Sequence, residues 1–133
     1  MTILRRVPAD TPVTVVIADD NSLFVTALVG LLHAESSIEV VGRAEDGEEA
    51  ARLAAELAPD VLLMDLSMPR LDGFEATERI CAETPDTAVV VLTGSFEAGD
   101  VARAKEAGAA GYVTKDQILA ELVGSIRSAA ASR

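Results

Sequence analysis

The chain has 133 residues, half of them hydrophobic, with three Phe, one Tyr, no Trp and a net charge of −11. That length fits one domain with a core of Val, Ile, Leu and Ala, while the acidic balance argues against direct contact with nucleic-acid phosphates or anionic lipid. No apolar run approaches the roughly 20 residues of a membrane span, the first residues do not read as a signal peptide, and a lone Cys81 excludes an internal disulfide; a reducing, cytoplasmic setting is expected.

Residues 1–12, with Arg5, Arg6, Pro8 and Pro12, read as a loose lead-in. From Val13 onward short β-branched runs alternate with helical patterns. The first strand, 13–18, ends on Asp19-Asp20. Its helix shows a stripe of Leu23, Phe24, Ala27, Leu28, Leu31 and Leu32, followed by His33, expected at the surface. After a strand at 38–43, Asp46-Gly47-Glu48-Glu49 is an acidic variant of the capping box, so the Glu45–Glu49 cluster is a helix start, running toward Pro59. A strand at 60–64 leads into Asp65 and the loop Ser67-Met68-Pro69-Arg70-Leu71-Asp72-Gly73. A helix over 74–83 stops before Pro85, and a strand at 87–92 ends on Thr93. The helix over 99–107 meets its stop at Gly108, and a strand at 110–113 carries Tyr112 and precedes Lys115. The last helix covers 117–130 with Asp116 placed to cap it, and 131–133 form a tail, the start of a linker. Cys81, Met64 and Met68 read as packing residues.

Strands this apolar on both faces belong in a parallel sheet covered by helices on both sides. Right-handed crossovers then favour one α/β domain, 13–130, with a five-stranded doubly wound sheet in the order 2-1-3-4-5. Asp20 and Asp65 would face each other across the switch-point crevice. Three carboxylates, a hydroxyl (Thr93) and an ammonium (Lys115), all at strand ends, describe a site for a divalent cation and a phosphoryl group. Like charges about 4 Å apart repel by several kcal/mol in a partly buried setting, and a hard cation such as Mg²⁺ or Mn²⁺ offsets that repulsion. Taken singly, each group has a plainer use: Asp19-Asp20 beside a helix dipole, Asp65 as a loop acid, Thr93 as a cap, Tyr112 as packing.

In order and at the right strand ends, these pieces resemble the receiver domain of two-component response regulators over nearly all of 13–130. They are Asp19-Asp20, Asp65 with its Met68-Pro69 and Asp72-Gly73 loop, Thr93-Gly94, and Tyr112 ahead of Lys115. Ile38-Glu39-Val40-Val41-Gly42 and Ala107-Gly108-Ala109-Ala110-Gly111-Tyr112 look most like the NarL/FixJ-type subfamily. The resemblance implies a CheY-like (βα)5 fold and a signalling domain, not a conventional enzyme, that promotes its own phosphorylation and dephosphorylation. Asp65 would accept the phosphoryl group from a sensor histidine kinase or a phosphotransfer protein. Asp20, Asp65 and the backbone carbonyl of Ser67 would hold Mg²⁺ (or Mn²⁺) directly, with Asp19 acting through water. Lys115 and Thr93 would meet the phosphoryl oxygens, and Thr93 with Tyr112 would switch the face of the fourth helix, fifth strand and fifth helix. That face would then serve an output partner, a second copy of the chain, or an attached DNA-binding domain.

One departure stands out: many receivers follow the lysine with a proline, and here Asp116 puts another acid there. It keeps open a phosphorylation-independent interaction domain. A Mg²⁺-dependent phosphatase working through an aspartyl phosphate would want a second Asp two residues after the first. Ser67 stands there after Asp65, and Asn21 and Ser22 follow the acidic pair.

Overall fold

The computed structural model describes residues 11–66, 68, 72–94 and 98–132. The lead-in over 1–10, Ser67 and the loop residues 69–71 therefore lie outside the described residues. Five parallel strands, β1 (Val13–Ala18), β2 (Ile38–Ala44), β3 (Val61–Asp65), β4 (Ala88–Thr93) and β5 (Gly111–Thr114), form one sheet in the order β2-β1-β3-β4-β5. The helices between and after them are α1 (Ser22–His33), α2 (Gly47–Leu57), α3 (Gly73–Glu83), α4 (Ala98–Ala107) and α5 (Ile118–Ser132). This is the doubly wound order expected from the sequence. Among the described residues no helix is long and apolar enough to cross a membrane.

The period of two along each strand divides the core into two layers. Val15, Ile17, Leu63, Val90 and Leu92 face Leu28 and Leu32 of α1 and Leu122 and Ile126 of α5. Val16, Leu62, Met64, Val89 and Val91 face Ala50 and Ala54 of α2, Ala76 and Ile80 of α3, and Ala104 of α4. The second layer is lined mostly by alanine methyls on the helix side.

Local chemistry sets the helix ends. Asn21 caps α1 by accepting from the Phe24 N–H, and Asp46 caps α2 by accepting from the Glu49 N–H. Glu49 reaches back to accept from the Glu45 N–H at 2.8 Å, so the expected capping box forms one residue earlier than its standard geometry. At the end of α4, Gly108 takes φ +106°, the Ala109 N–H donates to the Ala104 carbonyl and the Gly108 N–H to the Lys105 carbonyl, a Schellman ending.

Three expectations are corrected. Strands β3, β4 and β5 each begin and end one residue later than expected; at the entrances of β3 and β4 the polar side chains are engaged outside the ladder, Asp60 bonding Thr14 and Thr87 bonding the Pro59 carbonyl. On α1 the buried stripe is Val25, Leu28 and Leu32; Leu23 is 82% exposed and Ala27 is exposed as well. Asp116 does not stand at the cap of α5 but in the middle of a single 3₁₀ turn, Lys115–Gln117, that leads into it, and its side chain is exposed. Helix α5 itself runs on to Ser132.

Candidate functional site

The carboxyl ends of β1, β3, β4 and β5 converge on one pocket. Its first wall is Asp19, whose N–H donates to the Ala44 carbonyl at 3.0 Å and so prolongs the β1–β2 ladder by one residue. The Asp19 carboxylate is fully enclosed and accepts from the Asn21 N–H at 2.9 Å and from Lys115 Nζ at 2.8 Å. Asn21, and neither acid of the pair, caps α1, accepting from the Phe24 N–H at 3.1 Å. Asp20 is the solvent-exposed member of the pair.

Asp65 is the last residue of β3, paired with Leu92 in β4, and is only 3% exposed. One carboxylate oxygen from each of Asp19, Asp20 and Asp65 lies within 4.8 Å of the others. Three acid oxygens this close together are donors that a hard divalent cation would draw on, directly or through its waters. Three hard oxygen donors with open solvent on the Asp20 side suit a cation that keeps several waters.

Lys115, on the 3₁₀ turn after β5, is the cation of the site. Its Nζ is 2.8 Å from Asp19, 3.7 Å from Asp65 and 4.2 Å from the centroid of the Phe24 ring. Phe24 thus anchors the ammonium from the α1 side, a contact that the sequence reading missed because Phe24 looked like part of a core stripe. Lys115 follows β5 through a trans peptide chain, with no cis bond among the described residues.

Thr93 closes β4 opposite Thr114 and is buried, one residue past the Asp65 partner Leu92. Gly94 follows it with open space where a Cβ would stand. Tyr112 is half-buried on β5 opposite Val91, packs against the second core layer and lines a small cavity with Val101, Ala104 and Lys105 of α4. The sequence also gave no warning of how tightly Gly73 is held: a Cβ there would sit 2.8 Å from the Asp65 carbonyl oxygen and 2.7 Å from Leu66 Cα.

The structure therefore brings Asp19, Asp20, Asp65 and Lys115 together, with Thr93 on the adjacent strand end and Tyr112 behind it. Ser67 is outside the described residues. His33 is exposed, Met64 and Met68 are buried, and Cys81 is half-buried against Gly108, away from the acids.

Residues 15–127 match the family model described as the response regulator receiver domain. The transcriptional regulatory protein LiaR of Bacillus subtilis is 44% identical over 117 residues, 88% of this chain and 56% of LiaR. The response regulator GacA of Pseudomonas viridiflava is 43% identical over 115 residues, 86% of this chain and 54% of GacA. The chain spans about half the length of these curated relatives. Among solved structures, the signal receiver domain of the response regulator NarL from Mycobacterium tuberculosis superposes with a TM-score of 0.87 at 34% identity, covering 92% of this chain and 99% of that one.

Proposed function

The chain belongs to the response regulator receiver family, and from that membership and the pocket at its sheet end we propose that Asp65 is its phosphoacceptor. The observation that carries this is the placement of Asp65: buried at a strand end, with two further carboxylates inside 4.8 Å and an ammonium at 3.7 Å. A lone enclosed carboxylate would be a poor place for more negative charge; this one stands beside the Lys115 ammonium, and its two acidic neighbours offer oxygens to a divalent cation that would offset the rest. An Asp65 carboxylate oxygen attacks the phosphorus of a phosphohistidine, the P–N bond breaks, and the freed imidazole takes up a proton.

Asp20, Asp65 and the Ser67 carbonyl would hold Mg²⁺ (or Mn²⁺) directly, with Asp19 acting through water. When bound, that ion supplies charge neutralisation on the phosphoryl oxygens. Lys115 moves its ammonium from Asp19 toward the new phosphoryl oxygens, and the Thr93 hydroxyl donates to one of them. The phosphoryl group adds roughly −1.5 to −2 charges, enough to bias a two-state element. Drawing Thr93 inward lets Tyr112 follow and changes the α4-β5-α5 surface. That surface serves an output partner, a second copy of the chain or an attached DNA-binding domain, and the donor is a sensor histidine kinase or phosphotransfer protein in the cytoplasm.

Intact-mass spectrometry after incubation with acetyl phosphate and Mg²⁺ tests the assignment. One phosphoryl adduct on the parent, absent with EDTA and absent in Asp65→Asn, is the expected result. An adduct persisting in a folded Asp65→Asn protein would refute Asp65 as acceptor.

A further inference from the structure

Helix α4 is weakly attached. Its fully buried side chains are two alanines, Ala104 and Ala107, and its remaining residues are exposed or half-buried. Two methyl groups bury little apolar area, so this helix belongs to the low-stability end of the molecule. Against that background one long side chain stands out. The Arg103 guanidinium lies 4.1 Å from the centroid of the Phe74 ring and 3.9 Å from Asp72 Oδ2. Phe74 and Asp72 belong to the start of α3: Asp72 is its cap, accepting from the Glu75 N–H at 2.9 Å through its other oxygen.

That start is in turn seated on the phosphoacceptor strand. Gly73, between Asp72 and Phe74, packs on the Asp65 carbonyl and Leu66 Cα with no room for a Cβ. An unbroken run of contacts thus leads from the Asp65 backbone through Gly73 to Phe74 and Asp72, and across to α4 through Arg103. It lies on the α3 side of α4, whereas Thr93 and Tyr112 lie on its β4 and β5 side.

We propose that Arg103 is a latch that holds α4 against α3 in the conformation where Lys115 is bonded to Asp19, and that it sets the threshold at which a phosphoryl group on Asp65 rearranges α4. The regulatory half of this rests on the receiver function proposed above; the latch itself rests on the contacts alone. A guanidinium stacked on a ring and beside a carboxylate, both partly exposed, changes an opening equilibrium by about three- to tenfold. Releasing a restraint on one state raises the apparent affinity of a ligand for the other by the same factor. Arg103→Lys retains the charge without the planar stacking surface, so it falls between the parent and Arg103→Gln.

Amide hydrogen exchange on the parent, Arg103→Lys and Arg103→Gln tests the latch without any phosphoryl donor. The expected result is α4 amides over 101–107 exchanging about three- to tenfold faster in Arg103→Gln, with β1 and α2 unchanged. Unchanged exchange in α4, or equal acceleration across the molecule, overturns it. The threshold is read by titrating beryllofluoride, a phosphoryl analogue, with Mg²⁺ and following the fluorescence of Tyr112, the chain's one tyrosine. Arg103→Gln should respond at a proportionally lower concentration. An equal or higher midpoint overturns the threshold role. A parent that gives no response while α4 exchange still differs would count against the receiver function and leave the latch standing.

Discussion

Lys115 donates to Asp19 at 2.8 Å and stands 3.7 Å from Asp65, so its ammonium is held by the acid that is not the proposed acceptor. The Asp19 carboxylate is fully enclosed, while a quarter of the Lys115 side chain remains exposed. The pair therefore offsets a buried charge and still leaves the lysine a path to move.

Replacing Lys115 with Met removes that compensation. The enclosed Asp19 carboxylate keeps only the Asn21 N–H, and breaking such a pair costs roughly 1–3 kcal/mol when one partner is open to water. The same change takes a positive charge away from the place where a cation would bind. Thermal melts should show a lower Tm for Lys115→Met, largely restored by millimolar Mg²⁺, and calorimetric titration should show Mg²⁺ binding at least about threefold tighter than in the parent. An unchanged Mg²⁺ affinity would mean that the lysine and the cation do not share the pocket.

Thr93→Ala separates acceptance from response. The hydroxyl is at the end of β4, next to the strand that carries Asp65, and its loss removes none of the three carboxylates and leaves the Lys115 ammonium in the chain. Acetyl phosphate should still label the variant on Asp65 to a similar extent. The change in Tyr112 fluorescence that accompanies labelling in the parent should be lost. A variant that still shows it would remove Thr93 from the switch.

Most of the sheet was legible because its strands are continuous Val, Ile and Leu runs whose polar ends mark the site; Asp19, Asp20, Asp65, Thr93 and Lys115 could each be placed from their strand. Helix α1 was less legible for a physical reason. Ser22–His33 has apolar residues nearly all the way round, so spacing alone admits two stripes, and the one through Leu23 and Ala27 proved to be the exposed one. The aromatic partners of Lys115 and Arg103 were not legible at all. Phe24 and Phe74 meet them only through tertiary placement, and nothing in their neighbouring residues distinguishes a ring under a cation from a ring in the core.

Ala58 ends α2 with φ 46°, the one non-glycine residue at positive φ among those described. A Cβ in the left-handed region costs about 1–2 kcal/mol, of which the greater freedom of glycine in the unfolded chain takes back about 0.4–1. Ala58→Gly should therefore stabilise the protein by about 0.5–1 kcal/mol, a rise in Tm of about 2–3 °C, while Ala58→Val should lower it. Denaturant unfolding of the three proteins checks both signs.

Cys81 and Gly108 join α3 to the end of α4, the thiol donating to the Gly108 carbonyl at 3.4 Å. Burial pushes the Cys81 thiol above its ordinary value of about 9. Above that pH the unfolded chain releases the proton while the folded one keeps it, so the folded state binds more protons and stability falls as pH rises. The loss begins near the unfolded value and continues to the raised folded one. Cys81→Ala should show a flatter stability profile above pH 9, measured by urea unfolding in steps of pH. Gly108→Ala tests the same junction from the other side: its Cβ would stand 2.9 Å from Cys81 Sγ and its φ of +106° strains any side chain. It should cost roughly 2–3 kcal/mol, and Cys81→Ala should recover only the part due to sulfur, because the contact with the Cβ of residue 81 at 3.1 Å and the backbone strain at position 108 both remain. Full recovery in the double variant would show that the contact with sulfur, and not the backbone, is what requires glycine there.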